Sequence, residues 1–430
     1  MYQSHIQWIR DNGRRMDSLL RSSLIHRLRF LRWVPCVLHG TVIQALHRLS
    51  RARVLVQLDP EAAGRLQLTR MGVGSTYYSS IHTYRLNVSL SQLQELMGMP
   101  EVKKVYLDRK VYALLDTAVP ATGAPKVWKG SDVPNFGENA AIAIIDTGIH
   151  PHPDLTRPQN RIIAFKDFVK GKSHPYDDNG HGTHVAGACA GNGFSSKGKY
   201  KGTAPNAKLV GIKVLNKSGS GNLSDVIAGV QWCIDNKDKY GIRVINLSLG
   251  SRTGTSYKDD PVAQIVEQAW KAGITVVAAA GNEGPESNTI SSPGIHPQII
   301  TVGASDNKNS VDRNDDEIAP FSSRGPTADG VVKPDLLAPG TNITSLRVIH
   351  SYIDKMSPHS RVNQYYTVLS GTSMATPIVA GIVALLLTKN PNWTPDQVKQ
   401  ALISTAEDLG LPPNTQGSGH VQANLANLKE

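Results

Sequence analysis

Residues 140–146 read AAIAIID, a near-continuous apolar run that stops on an aspartate and is followed by TGI at 147–149. Four more runs of the same kind follow: AKLVGIKVL at 207–215, GIRVINLSLG at 241–250, GITVVAAAGN at 273–282 and IITVGAS at 299–305. Runs this rich in Val, Ile and Ala, with no polar alternation, are strands covered on both faces. Between them, 223–235 and 261–272 have helical character, and Gly273 suits a helix end. Alternating strands and helices predict a parallel, doubly wound α/β sheet, and such sheets build their sites at the carboxyl ends of the strands.

Upstream the composition changes. Residues 1–50 interleave arginines with Trp8, Ile9, Leu19, Leu20, Leu24, Ile25, Leu28, Leu31 and Trp33 at roughly helical spacing, a basic amphipathic extension expected to pack on a neighbouring domain rather than to dock on an anionic membrane surface. Residues 51–115 read as a small α+β unit, with strands at 53–58, 84–90 and 102–107 and a helix at 91–99. TAVPATGAPKVWKGSDVPNFGENA at 117–140 is broken by Pro and Gly, so 116–139 reads as a linker and entry segment before a catalytic domain spanning 140–430. The net charge of +11 is uneven: 17 basic and 8 acidic residues lie up to Asp116, leaving +2 downstream. With no aromatic stacking motif behind it, this basic front does not predict nucleic-acid binding.

The chain is 40% hydrophobic and 19% charged, an ordinary globular balance. Cys36, Cys189 and Cys233 form no CxxC or disulfide pattern. No run reaches the roughly 18 apolar residues of a membrane span, and arginines interrupt any secretory apolar core, so a cytoplasmic location is expected.

Three segments carry chemistry. Asp146 ends the first strand, where its carboxylate reaches the functional edge of the sheet. His181 and His184 lie in DDNGHGTHVAG at 177–187, where small residues suggest a tightly packed helix start; a metal pair lacks the HExxH glutamate and a third ligand. Ser373 lies in LSGTSMATPIVAGIVALLL at 369–387, a turn running into an apolar helix with Pro377 in its first turn. A serine hydroxyl is a weak nucleophile, and acyl transfer needs a histidine to take its proton and an acid to orient that histidine.

Together AIIDTGI, HGTHVAG and GTSMATP, in the order Asp, His, Ser, resemble the signature segments of the subtilases (subtilisin-like serine proteases), in particular intracellular members, over roughly residues 140–425. The resemblance implies a serine endopeptidase with Ser373 as nucleophile, His181 as base and then acid, and Asp146 as its partner, and it makes His184 a structural residue. Asn282, in AAAGNEGP, matches the family's oxyanion asparagine. Ser218, Gly219, Ser220 and Gly221, with Ser248, Leu249 and Gly250, match the segments that pair with an extended peptide, while Ala279 and Gly281 match the primary specificity pocket, with a floor near Ser291. SLSQLQELMGMPEVKKVYLDRKVYALLD at 89–116 resembles the end of a pro-domain, which implies an intramolecular inhibitor that the enzyme removes.

No cofactor is implied for catalysis. Asp154, in HPDL, matches an acid that ligates structural calcium in many relatives, but the companion loop GNGFSSKGKYKG at 191–202 is lysine-bearing and departs from the pattern. GSGHVQAN at 417–424 carries Gln422 where the family usually has asparagine. An α/β-hydrolase esterase is excluded by triad order and by Ala375 at the last position of its G-x-S-x-G elbow. A binding module that kept the fold without the chemistry is disfavoured because Asp146, His181, Asn282 and Ser373 occur together.

Overall fold

The computed structural model describes residues 2–13, 15–16, 20–21, 24–25, 51–59, 75–78, 82–107, 115–130 and 134–429. They fall into two compact units, Met1–Val111 and Tyr112–Glu430.

The first unit is built on four antiparallel strands, β1 (Arg51–Leu58), β2 (Thr76–Tyr78), β3 (Thr83–Ser89) and β4 (Val102–Leu107), in the order β2-β3-β1-β4. Alternate residues point to one face of a strand, so Ala52, Val54, Val56 and Leu58 of β1 and Tyr84, Leu86 and Val88 of β3 form its core. The helix Leu90–Gly98 begins with a capping box between Ser89 and Gln92 and buries Leu93, Leu96 and Met97. The sequence separates 1–50 from 51–115, but the described residues put both into one unit. Ile9, Met16, Leu20 and Leu24 share the core of the sheet, Met16 bridges to Val105, and the Arg15 guanidinium donates to the carbonyls of Met97, Met99 and Val102. An apolar helical stripe needs a partner surface, and here that surface is the neighbouring sheet. Residues 26–50, including Leu28, Leu31, Trp33 and Cys36, lie outside the described residues.

The second unit holds the predicted parallel sheet. Its strands are β5 (Ala141–Asp146), β6 (Ile162–Asp167), β7 (Lys208–Lys213), β8 (Ile242–Leu247), β9 (Thr275–Ala279), β10 (Ile300–Asp306) and β12 (Leu336–Pro339), in the parallel order β6-β7-β5-β8-β9-β10-β12. The two-residue β11 (Glu317–Ile318) pairs antiparallel with the end of β10. Every residue of β5 and β9 is buried. The chain leaves β5 outward through β6 and β7 and then crosses to β8 on the other side, which makes the carboxyl ends of β7, β5 and β8 a topological switch point.

Two helices bring chemistry to that edge. His181–Ala190 and Thr372–Lys389 pack on each other and on the sheet. The second is long and apolar enough to cross a membrane by length and composition, yet its side chains from Met374 to Leu387 are buried in the centre of the unit, the position of a core helix. Segment 116–139, read from the sequence as a linker, belongs to this unit. Helices Leu115–Ala121 and Ala124–Lys129 bury Ala118, Val119, Ala124 and Val127 in the main core, because the apolar residues between the Pro and Gly breaks are enough to anchor two short helices. A hairpin of β13 (Ile343–Leu346) and β14 (Tyr366–Leu369) completes the unit.

Candidate active site

Asp146 is the last residue of β5 and is fully buried. His181 is the first residue of its helix, and its Nδ1 donates to Asp146 Oδ1 at 2.8 Å and to Oδ2 at 3.0 Å. The Thr147 amide donates to the same carboxylate at 2.7 Å. Gly182 permits this approach: a Cβ there would lie 2.2 Å from the Gly148 carbonyl oxygen and 3.2 Å from the Asp146 Cβ. Burial alone would lower the His181 pKa, but the charge and hydrogen bond of Asp146, helped by Asp177, outweigh it and raise the pKa above 6.5.

Asp177 carries no special mark in the sequence, yet it organises this corner. Its Oδ1 accepts from the Thr147 hydroxyl and the amides of Asn179 and Gly180, and its Oδ2 accepts from the amide and hydroxyl of Thr183. An acid that collects the free amides at a helix start fixes the helix and suits its dipole. The available signal was its place four residues before His181 and six before Thr183.

His184 behaves oppositely. It is fully buried, and its Nε2 donates to the Ile343 carbonyl at 3.0 Å. Burial and the neighbouring His181 pull its pKa down to about 3, so it is neutral at ordinary pH. No cluster of three or more His, Cys, Asp or Glu side chains able to hold a metal occurs among the described residues.

Ser373 is the second residue of its helix. Its hydroxyl donates to the Ser248 carbonyl at 3.0 Å, and the Ser248 hydroxyl donates back to the Ser373 carbonyl at 2.8 Å. Ser248–Gly250 is thereby tied to the serine. Asn282 accepts through Oδ1 from the amide and the hydroxyl of Thr372, at 2.9 and 3.0 Å, which commits its oxygen and leaves Nδ2 as the free end. A Cβ placed on Gly371 would lie 3.4 Å from Asn282 Nδ2 and 3.7 Å from the Ser373 amide nitrogen. Both nitrogens therefore border one small space that glycine keeps clear. Thr372 lies inside a motif legible in the sequence, but its role in aiming Asn282 emerges only in three dimensions.

Ser218, Gly219, Ser220, Gly221, Ser248, Leu249 and Gly250 line one cavity of about 570 Å³ together with His181. Ala279, Gly281 and Asn282 do not line it. Gly281 has φ +113°, and a Cβ on it would meet Ser291 Oγ at 2.5 Å; one on Gly250 would meet Ser291 Cβ at 2.9 Å. Ser291 thus stands between two glycine-walled segments, where a separate recess would have its floor.

Asp154 does not present the donor set of a calcium site. Its Oδ1 accepts from the Ser195 amide at 2.8 Å, its Oδ2 accepts from the Tyr366 hydroxyl at 2.5 Å, and the Arg161 guanidinium donates to its carbonyl at 2.5 Å. Calcium requires six to eight oxygen ligands, whereas here protein donors occupy both carboxylate oxygens and a cation sits on the backbone oxygen. Among the cysteines, Cys189 and Cys233 are buried and free, with thiols pushed up by burial.

A histidine fixed by a buried carboxylate lines the same cavity as Ser248, whose carbonyl holds the hydroxyl of the helix-borne Ser373, an arrangement that suits a serine hydrolase. The chain belongs to the subtilase family, whose profile matches residues 137–420, and it is a subtilisin-like serine endopeptidase. It is similar to the serine protease AprX of Bacillus subtilis (strain 168), at 45% identity over 98% of both chains. It is also similar to a thermostable alkaline protease of Halalkalibacterium halodurans, at 35% identity over 88% of this chain and 97% of the relative. Among solved structures it resembles the S41 psychrophilic protease, with a TM-score of 0.56 and 29% identity over 70% of this chain and 97% of that one.

Proposed function

We propose that Asp146, His181 and Ser373 are the catalytic triad and that Asn282 Nδ2 and the Ser373 amide are the oxyanion donors. The observation that carries this reading is the 2.8 Å bond from His181 Nδ1 to Asp146 Oδ1, which leaves Nε2 as the proton acceptor. Ser373 Oγ attacks the scissile carbonyl while His181 Nε2 takes its proton. The carbonyl oxygen becomes an oxyanion in the space bordered by the two donors. Collapse of this intermediate breaks the C–N bond, the leaving amine takes the proton from His181, and the acyl group stays on Ser373. Water then attacks with His181 again as base, releasing the acid and restoring the hydroxyl. The hydroxyl leaves Ser248 for the histidine when substrate is bound, as catalytic hydrogen bonds commonly tighten only in the complex.

The Ser218–Gly221 and Ser248–Gly250 segments take the substrate as an added strand, with affinity coming from its backbone. The unit up to Val111 is proposed to be a pro-region that inhibits the enzyme and is removed by it, in support of which it has a core of its own. The cut is expected between about Lys110 and Pro120. A cytoplasmic place of action is supported by Cys189 and Cys233, two buried free thiols. Calcium is not part of the proposed mechanism.

Incubation of purified chains tests the processing. Wild type should release a fragment ending between about Lys110 and Pro120, and Ser373→Ala should stay full length. Equal trimming of Ser373→Ala in a protease-free preparation would refute self-removal.

A further inference from the structure

The hairpin β13–β14 does not turn tightly. Residues 347–365 leave its end as an arch that contains the helix Tyr352–Met356 and the single turn Pro358–Ser360. Loops of this length in compact domains usually have work to do. Asp354 holds the arch in one shape. Its Oδ1 accepts from Arg347 Nε at 2.6 Å and Arg361 Nε at 2.8 Å, and its Oδ2 from the His350 amide at 2.9 Å. Although burial opposes the charge, these donors depress the Asp354 pKa to about 2.

The arch is docked on the segment that leads to His181. The Tyr352 amide donates to the Asp178 carbonyl and the Ile353 amide to the Asn179 carbonyl, both at 3.0 Å. A Cβ on Gly180 would lie 2.7 Å from Ser351 Oγ, so the contact is close. Tyr352 and Ile353 consequently enter the lining of the cavity that holds His181, Leu215 and the Ser218–Gly221 segment. Tyr352 remains 37% exposed, an aromatic side chain in the lining of the cleft.

Successive side chains of an extended peptide point to opposite sides. If the residue that supplies the scissile carbonyl (P1) turns toward the recess between Gly250, Gly281 and Ser291, the next one (P2) turns toward the wall beside His181. P4 shares the face of P2, and Val226 and Val262, which line the same cavity, are the apolar side chains left for it.

We propose that Tyr352 and Ile353, carried by the 347–365 arch, form with Leu215 the subsite for P2 and select an apolar side chain there. This rests on the catalytic reading above and adds to it a specificity element outside the signature segments. Fluorogenic peptide amides varied separately at P2 and P4 test it on the full chain. Wild type should prefer Leu to Asp at P2. Ile353→Ala should flatten the P2 preference by about ten-fold or more, the size of a lost apolar contact in a pocket. Ile353→Lys should shift it toward Asp. Neither variant should alter the P4 profile, which reads Val226 and Val262. An unchanged P2 profile in both variants overturns the proposal while leaving the catalytic assignment standing. Wild type that cleaves none of the peptides and takes up no fluorophosphonate overturns the catalytic reading, and the subsite with it.

Discussion

Asp146 and Asp154 are both fully buried, lie eight positions apart and accept hydrogen bonds through both carboxylate oxygens, yet their donors differ in kind. The donors on Asp154 end inside the protein: Tyr366 is fully buried and the Ser195 amide is backbone. Among the donors on Asp146 is a histidine whose side chain is 22% exposed and which lines the cleft. A buried carboxylate fixes structure when its partners have nowhere to send a proton. It supports chemistry when its partner has a second titrating atom at the surface. His181 and His184 repeat the lesson three residues apart, since the one beside an acid is raised in pKa and the one without is lowered to about 3.

Disturbing the two acids should therefore give unlike outcomes, and the larger is at Asp146. Asp146→Asn removes the charge that raises the His181 pKa and should lower kcat by about 10⁴-fold, the size of an acid-to-amide change in a serine-protease triad. In wild type, kcat/KM should fall as pH drops through an inflection above 6.5, because protonated His181 cannot act as base. In the variant the residual activity should titrate at lower pH. A pH profile with the same inflection in both proteins would break the contrast.

A smaller effect is expected at the donors facing the oxyanion. Asn282→Ala should cost about 10²–10³ in kcat with little change in KM, again the magnitude known from subtilisin. A rise in KM with kcat unchanged would mean that Asn282 serves ground-state binding instead.

The smallest effect on rate is expected at the sealed acid. Tyr366→Phe leaves Asp154 Oδ2 without its hydroxyl donor and should destabilise the fold by about 1–3 kcal/mol, with kcat/KM unchanged. Thermal unfolding in EDTA should match that in calcium, because protein donors already fill the Asp154 oxygens. A melting temperature that rises with calcium in wild type but not in Asp154→Asn would show that Asp154 binds the ion.

Much of this was legible in the sequence where burial is uniform. The five apolar runs became β5, β7, β8, β9 and β10, because strands covered on both faces admit few polar residues. β6 escaped notice, since residues such as Ile163 and Lys166 face outward at the sheet edge and dilute the apolar pattern. The short β12 carries its own proline, and β13 and β14 are separated by the arch, so none of them forms a long periodic run. Asp146, His181, Asn282 and Ser373 could be picked out because each sits in a distinctive local segment. Asp177, Thr372 and Ile353 could not, because their importance lies in contacts with Thr183, Asn282 and the Asn179 backbone that only the folded chain creates.

The central claim is that the nucleophile is Ser373, activated by His181. A fluorophosphonate probe followed by peptide mass analysis tests this most directly. Wild type should acquire one label per chain on the peptide containing Ser373, His181→Ala should label far more slowly, and Ser373→Ala should not label. A label on another residue, or peptidase activity that resists the probe and is abolished by a chelator, would contradict it.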